Sequence, residues 1–411
     1  MYSERLFYFC TMDNFILFDD PSYRGSLLPF TFTRPVGEIR VGILRLREKW
    51  EKHLDAKAGY HTQAYLQEKF PGLAGANLYI NGGLCPDHGL LTALHALGQG
   101  QSLVKENVLL ATKWESEESF STDLIKEQTE PIEYEGEITL IHRNWHIFQY
   151  NSLEIRRDFA LITANRISAG VNDEHTKVYN PDMIFVEEGA KIRAAVLNAE
   201  NGPIYIGKNA EIQEGALIRG PFSLGEESTV NMGAKIRGDT TVGPHSKVGG
   251  EVSNSVIFGY SNKGHDGFMG NSVIGEWCNF GADSNISNLK NNYAAVKIWD
   301  YTKGGFAPTG LQFCGLMMGD HSKCGINTMF NTGTVVGVGA NVFGAGFPRN
   351  FIPSFAWGGA SSLSTFQIRK FAETAEMVMT RRGIPYDETE QNILKKVFEM
   401  TKAYRIWDKE V

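Results

Sequence analysis

The sequence has no run approaching the ~20 consecutive apolar residues of a membrane-crossing helix, so a helical span is not what organises it. It has few cysteines, and Cys10, Cys85, Cys278, Cys314 and Cys324 show no metal-ligand spacing. That excludes a cysteine-based zinc site and suits a reducing, cytoplasmic setting. Positive charge is in short supply, with 40 Lys and Arg against 47 Asp and Glu and a net charge of −7. Nucleic acid is therefore excluded as the main partner, whereas a small anion needs only a local positive site. The P-loop and the Gly-x-Gly-x-x-Gly fingerprint are both missing. MYSERLFYFCT lacks the apolar core and small-residue cleavage site of a signal peptide, and the fold is expected to begin near Met12, with residues 1–11 as an extension.

What is present is a globular composition, 42% hydrophobic and 21% charged, on a chain long enough for two or three domains. Every sixth residue from Ile206 onward is aliphatic: Ile206, Ile212, Ile218, Leu224, Val230, Ile236, Val242 and Val248. Neither a helix nor a half-exposed strand has this period. It is the beat of a hexapeptide parallel β-helix, in which three hexads close one coil and coils stack to bury the aliphatic side chains. The beat returns in new phases at Phe268, Ile274, Phe280 and Ile286, and at Met318, Cys324, Phe330, Val336 and Val342. The breaks at 249–267 and 287–317 predict insertions, which in a solenoid emerge on one face and commonly bind.

Ahead of the solenoid the sequence predicts an α/β layer domain. Strands are expected at 12–18, 77–80, 102–111 and 136–141, helices at 38–53, 88–97 and 152–165, and an irregular acidic excursion at 113–135. Behind it, Phe347, Pro348, Pro353 and Trp357 are expected to cap the open coil edge, followed by helices at 362–382 and 386–407.

Several residues have chemistry to offer. His265 lies between glycines in SNKGHDGF, where it reads either as a proton acceptor near neutral pH or as a solvent-facing turn residue. Asn279 reads as a donor to a neighbouring coil or as a turn asparagine. Lys290, Lys297 and Lys303, with Tyr293, Trp299 and Tyr301, make the second break basic and aromatic, an anion site or a solvated loop. Arg237 follows core residue Ile236 and so points outward. Arg24 and Arg34 sit on the loop after the first strand, where α/β ligand sites lie; they are phosphate clamps or surface arginines.

The stretch EVSNSVIFGYSNKGHDGFMGNSVIGEWCNFGADSNISNLKNN (251–292), continued by GLMMGD at 315–320, resembles the bifunctional sugar-1-phosphate nucleotidyltransferase/amino-sugar-phosphate acetyltransferases in their archaeal-type pattern. LLPFTFTRPVGEIRVGI marks a divergent form of the kind found in Bacteroidetes-like bacteria. The resemblance implies a mixed-sheet nucleotidyltransferase-like domain at 12–175, a left-handed parallel β-helix at 176–358 and C-terminal helices at 359–411. It implies a trimer with acetyl-CoA between solenoids. His265 falls on the acetyl-transfer base and Asn279 on a contacting asparagine at that centre. Arg237, Asn288, Lys297 and, in place of a missing lysine, Lys263 fall on substrate contacts. Arg24 and Arg34 fall in the nucleotide loop, Asn81 at the position following the second strand, and Asn165 on a metal-binding asparagine for Mg²⁺, with Asp19, Asp20 or Asp87 as replacement carboxylates.

Four departures stand against the family pattern: Phe268 replaces a tyrosine, Ser253 replaces a lysine, the glycine-rich nucleotide loop is absent, and Ile80-Asn81-Gly82-Gly83 lacks the carboxylate of a metal-binding Gly-Asp. The implied function is nucleotidyl transfer from UTP or dTTP to a sugar-1-phosphate, combined with acetyl transfer to an amino-sugar phosphate such as glucosamine-1-phosphate. Two alternatives stand beside it: nucleotidyl transfer alone with the solenoid as an oligomerisation and regulatory module, and a trimeric carbohydrate-binding scaffold without catalysis.

Overall fold

The computed structural model describes residues 14–115 and 120–408, so the extension expected at 1–11 lies outside the described residues. Contacts divide the chain into two compact units. One comprises the described residues up to Asp20 with Pro35–Glu38 and Leu46–Leu140; the other comprises Pro21–Arg34, Ile39–Arg45 and everything described from Ile141 onward. Among the described residues no helix is long and apolar enough to cross a membrane.

The first unit is built on the strand Asn14–Phe18, whose last four residues are at most 4% exposed. It pairs in parallel with Lys57–His61 and Leu78–Asn81. The sheet continues through Val108–Lys113, Gln101–Lys105 and Glu130–Glu133 as a mixed six-stranded sheet. Glu106 and Asn107 both take positive φ (48° and 67°). Such a two-residue turn matches strand twist and splits the expected single strand at 102–111 into a hairpin.

Two further expectations are corrected. The excursion at 113–135 holds the helix Thr122–Gln128, capped by the Ser121 side chain, and the edge strand Glu130–Glu133. Its Glu and Pro content reads as loop, yet an edge strand needs no donor on its outer side and tolerates both. The helix expected from residue 38 begins only at Leu46. The amides of Gly42, Ile43 and Leu44 donate instead to the side chains of Asn151 and Asp158, which lie on the helix Asn151–Thr163.

In the second unit the hexad beat becomes a three-sided parallel solenoid. One face has nine strands from Ile184–Val186 to Phe351–Ile352, and a second has ten. The third face runs as six strands followed by two, Asn285–Ile286 and Met329–Phe330. All eight residues from Ile206 to Val248 in the beat are at most 2% exposed and belong to one core. Coils rise by the spacing of paired strands, ~4.8 Å, and each amide of a coil finds its carbonyl in the next, as when Gly207 N donates to Leu224 O.

The two phase breaks differ in kind. At 249–267 no insertion exists: Glu251–Ser253, Val256–Gly259 and Asn262–Lys263 stay in the stack. The turns are shortened, so that Val248 pairs with Lys263 fifteen residues on, whereas Val230 pairs with Val248 eighteen residues on. The core slot expected at Phe268 is filled by Met269, which pairs with Val252 and is fully buried. The break at 287–317 is an insertion, carrying the hairpin Lys297–Asp300 with Gly305–Pro308.

One corner of each coil takes a left-handed residue, and successive coils place His245, Tyr260, Trp277 and His321 there, with φ between 51° and 64°. Such conformations are unfavourable for side chains this large. Here the rings stack on one another, with centroids 4.8, 4.3 and 6.1 Å apart and planes within 19°. The upper end is closed by Leu363–Thr365, which pairs antiparallel with Ala356–Gly358, and by the helices Ile368–Thr380 and Glu388–Met400.

Leu224 is fully buried and Leu217, on the outside of the stack, is 49% exposed. Leu224→Ala should cost about 2–5 kcal/mol through lost burial and a residual cavity. Leu217→Ala should stay within about 0.5 kcal/mol, and urea unfolding of the two variants compares them directly.

Candidate functional site

The corner that carries His265 leaves the solenoid from the strand Asn262–Lys263 and rejoins it at Phe268–Gly270. His265 and Asp266 are exposed. The backbone beneath them is held tightly. Asn231 Nδ2 donates to Gly264 O at 2.7 Å, and Phe268 N donates to Asn285 Oδ1 at 2.9 Å. Gly267 has φ +113°, and a Cβ there would meet Ser284 O at 2.2 Å, so the close approach of the next coil requires glycine.

Lys263 is the unusual member. It occupies an aliphatic slot and is 2% exposed. Its ammonium donates to Gly249 O and to His265 O, both at 2.9 Å. Burial pushes its pKa down to about 8, while Asp266 and Asp283 pull the other way. The sequence reading offered Lys263 as a substrate contact. The structure turns its amine inward, onto the carbonyl of the very residue whose imidazole stands outside. Lys263 thus fixes the backbone at His265 from within the prism.

Asn279 is exposed on the strand one coil above, paired in register with Asn262. The third face carries the remaining candidates. Arg237 is exposed and forms a solvent-screened pair with Glu251 at 3.1 Å. It lines a shallow groove of about 430 Å³ together with Arg219 and Lys235. Those two escaped the sequence reading, although the one-coil spacing of Arg219 and Arg237 was there to be seen. Three coils above Arg237, about 14 Å along the stack, Asn288 Nδ2 donates to Asn271 Oδ1 at 2.7 Å. A Cβ on Gly270 would meet Asn288 Nδ2 at 2.5 Å and the Phe268 ring at 2.7 Å, so Phe268, Gly270 and Asn288 stand together. Ser253, between Arg237 and Gly270 in the same column, offers no cation. Lys297 is elsewhere, on the inserted hairpin, where it lines a separate cavity with Lys290.

The nucleotide candidates are occupied. Arg24 is buried and donates to Thr31 O, while Thr31 Oγ1 donates back to Arg24 O at 3.1 Å. Arg34 is buried against Phe258, its guanidinium carbon 5.1 Å from the ring centroid. It pairs with Asp320 and, at 3.3 Å, with Glu276; Asp320 also accepts from Thr33 Oγ1 at 2.6 Å. Arg24 thus ties its loop to itself, and Arg34 holds that loop onto the solenoid. Asn81 is fully buried, donating to Leu109 O and accepting from Gly83 N.

A catalytic Mg²⁺ needs converging oxygen donors. Asp19 spends one oxygen on Val36 N and the other on Thr62 Oγ1. Asp87 caps the helix His88–Ala96. Asn165 is exposed, with φ 58°. Among the described residues no group of three or more His, Cys, Asp or Glu could hold a metal ion. These residues do not fit a resident Mg²⁺.

Residues 15–167 match the family described as sugar nucleotidyl transferase. A bifunctional sugar-1-phosphate nucleotidylyltransferase/acetyltransferase of Sulfurisphaera tokodaii is 31% identical over 214 residues, covering 52% of this chain and 46% of that protein. The bifunctional protein GlmU of Methanocaldococcus jannaschii is 34% identical over 87 residues, 21% of each chain. The chain spans about half or less of the length of these curated relatives. The crystal structure of an Arabidopsis UDP-N-acetylglucosamine acyltransferase is 14% identical, covers 58% of this chain and 84% of its own, and superposes with a TM-score of 0.25, too low to carry an argument.

Lys263 yields a test. An unfolded lysine holds its proton to about pH 10.4, whereas the buried one releases it near 8. Between those values the unfolded chain binds the extra proton, so this group's contribution to stability rises with pH. The stability of wild type relative to Lys263→Met should therefore increase from about pH 8 to about pH 10, read from urea midpoints. A difference that stays flat with pH would contradict the placement.

Proposed function

We propose that a chain so assembled, with sugar-nucleotidyl-transferase residues 15–167 ahead of a hexapeptide solenoid, joins nucleotidyl transfer to acetyl transfer on a sugar phosphate. The observation that carries the acetyl-transfer half is the exposed imidazole of His265 on a corner braced from below by Lys263 and Asn231. A general base needs a fixed position and an open approach, and this corner offers both. In this reading the imidazole takes a proton from the acceptor's ammonium. The freed nitrogen lone pair attacks the carbonyl of acetyl-CoA. The C–S bond then breaks, the acylated nitrogen gives up its extra proton to the departing sulfur, and CoA leaves as the thiol beside a neutral amide.

Arg237, with Arg219 and Lys235 beside it, supplies the positive groove for the acceptor's phosphate, and Asn279 and Asn288 supply polar contacts nearer the reacting centre. Phe268 places an apolar ring beside Asn288 where the related pattern has a hydroxyl, which suits an acceptor with one fewer polar group to satisfy. The acceptor is an amino-sugar phosphate of the glucosamine-1-phosphate type, acetyl-CoA is the cosubstrate, and the working form is a homotrimer in the cytoplasm. The first unit transfers a uridylyl or thymidylyl group to a sugar-1-phosphate. Because Asn81 and Asp19 of this unit, and Arg24 and Arg34 of the second, are engaged within the fold, the residues that handle the triphosphate are others than those the loop pattern suggests.

Three measurements test this reading. His265→Ala should lower acetyl transfer, followed as free thiol, at least 100-fold while the oligomer seen by light scattering is unchanged. Turnover equal to wild type would remove the acetyl-transfer assignment. Arg237→Ala should raise KM for the sugar phosphate about tenfold with kcat little changed, the signature of lost uniform binding. Pyrophosphate release from UTP or dTTP with a sugar-1-phosphate should be measurable; its absence across a panel of sugars would reduce the first unit to a non-catalytic role.

A further inference from the structure

A second opening in the solenoid unit lies apart from His265 and from the groove at Arg237. It is a cavity of about 880 Å³ between the inserted hairpin, the segment 349–353 that includes the strand Phe351–Ile352, and residues 403–407. That volume lies in the range of small-molecule sites. Three cations reach it, Lys290, Lys297 and Arg349, and its lining contains no Asp or Glu among the described residues. On a chain of net charge −7 this is a local excess of positive charge with no carboxylate to offset it. Lys290 spends one donor on Ala295 O at 3.1 Å, and Lys297 and Arg349 are exposed.

The walls are aromatic. Trp299 stacks on Phe351 at 4.1 Å with planes 6° apart, and Phe306 and Tyr404 stand edge-on to Trp299 at 5.5 and 6.4 Å. This packing makes the wall rigid. Phe306 remains 49% exposed and lines the cavity. Trp407 is held in place by its Nε1, which donates to Thr365 Oγ1 at 2.9 Å.

Flat π surfaces beside unpaired cations suit one ligand chemistry, a planar heterocycle bearing phosphate. A simple acyl chain would leave three cations unmatched. A bare sugar would want more hydrogen-bonding side chains than Thr332 and Asn350 supply. We infer that this cavity is a nucleotide-binding site, in which the base lies against the aromatic wall at Phe306 and the phosphates meet Lys297 and Arg349. It rests on no part of the His265 reading. Two sources share the chemistry: the nucleotide end of a CoA thioester and a uridine nucleotide.

The test uses the whole chain and its tryptophan fluorescence, with 3′,5′-ADP, UDP and inorganic phosphate as separate probes. At least one of the two nucleotides should quench with saturation, and the stronger of them identifies the source. Arg349→Ala and Phe306→Ala should each weaken that nucleotide at least tenfold, with circular dichroism and melting unchanged. Inorganic phosphate should bind at least tenfold more weakly than the nucleotide, and His265→Ala should bind it as wild type does. The inference fails if neither nucleotide binds, if both cavity variants bind as wild type, or if phosphate alone matches the nucleotide. Loss of acetyl transfer in His265→Ala with cavity binding intact would leave this site standing, and the converse would leave the His265 reading standing.

Discussion

No coil of this solenoid can bury its own aliphatic residues; only the coils above and below can do so. Each coil is therefore stable only against its neighbours, and the other features of the second unit are fitted to the stack. Ile206, Leu224 and Val242 follow one another inside the prism as Ile212, Val230 and Val248 do on the next side. With the core so repetitive, chemistry can enter only at corners, on outer faces and where the repeat is interrupted.

The interruptions use the stack in different ways. Shortening the turns around 249–267 keeps the strands paired but brings a lysine into a slot that the repeat reserves for an aliphatic side chain. A buried ammonium is unfavourable unless it is hydrogen-bonded, and Lys263 meets that requirement by gripping the carbonyls of Gly249 and His265. The exposed imidazole is thus tied to the interior through its own backbone. The insertion at 287–317 instead leaves the stack until Met317 rejoins it beside Val273, and its aromatic residues find partners in Phe351 and Tyr404. The left-handed corner adds a third device, a ladder of His and aromatic rings that offsets backbone strain by stacking.

The arginine-rich loop shows how a motif-like segment can serve the fold. Arg34 sits against Phe258 and between Asp320 and Glu276, and Arg40 donates to Phe258 O at 3.0 Å. Removing one partner from such a buried set leaves a charge uncompensated. The positive character that suggested phosphate in the sequence is spent on the solenoid's carboxylates at Arg34 and on backbone carbonyls at Arg24 and Arg40.

The period of the repeat, the strands near 12–18 and 77–80, the helix at 88–97 and the exposure of His265 between glycines were legible in the sequence, because each rests on local spacing or on residue type; the strand Lys57–His61 and the helix Thr122–Gln128 were not. The slot at Met269 rather than Phe268 was not, since a shortened turn shifts the inward face by one residue and only pairing with Val252 reveals it. Nor was the inward turn of Lys263, the engagement of Arg34 by Asp320 some 286 positions away, or the gathering of Lys297 and Arg349 around one cavity. A linear pattern states which residues can be buried or charged. Which partner each one meets depends on how coils, insertion and C-terminal helices close on one another, and that is decided only when the chain is folded.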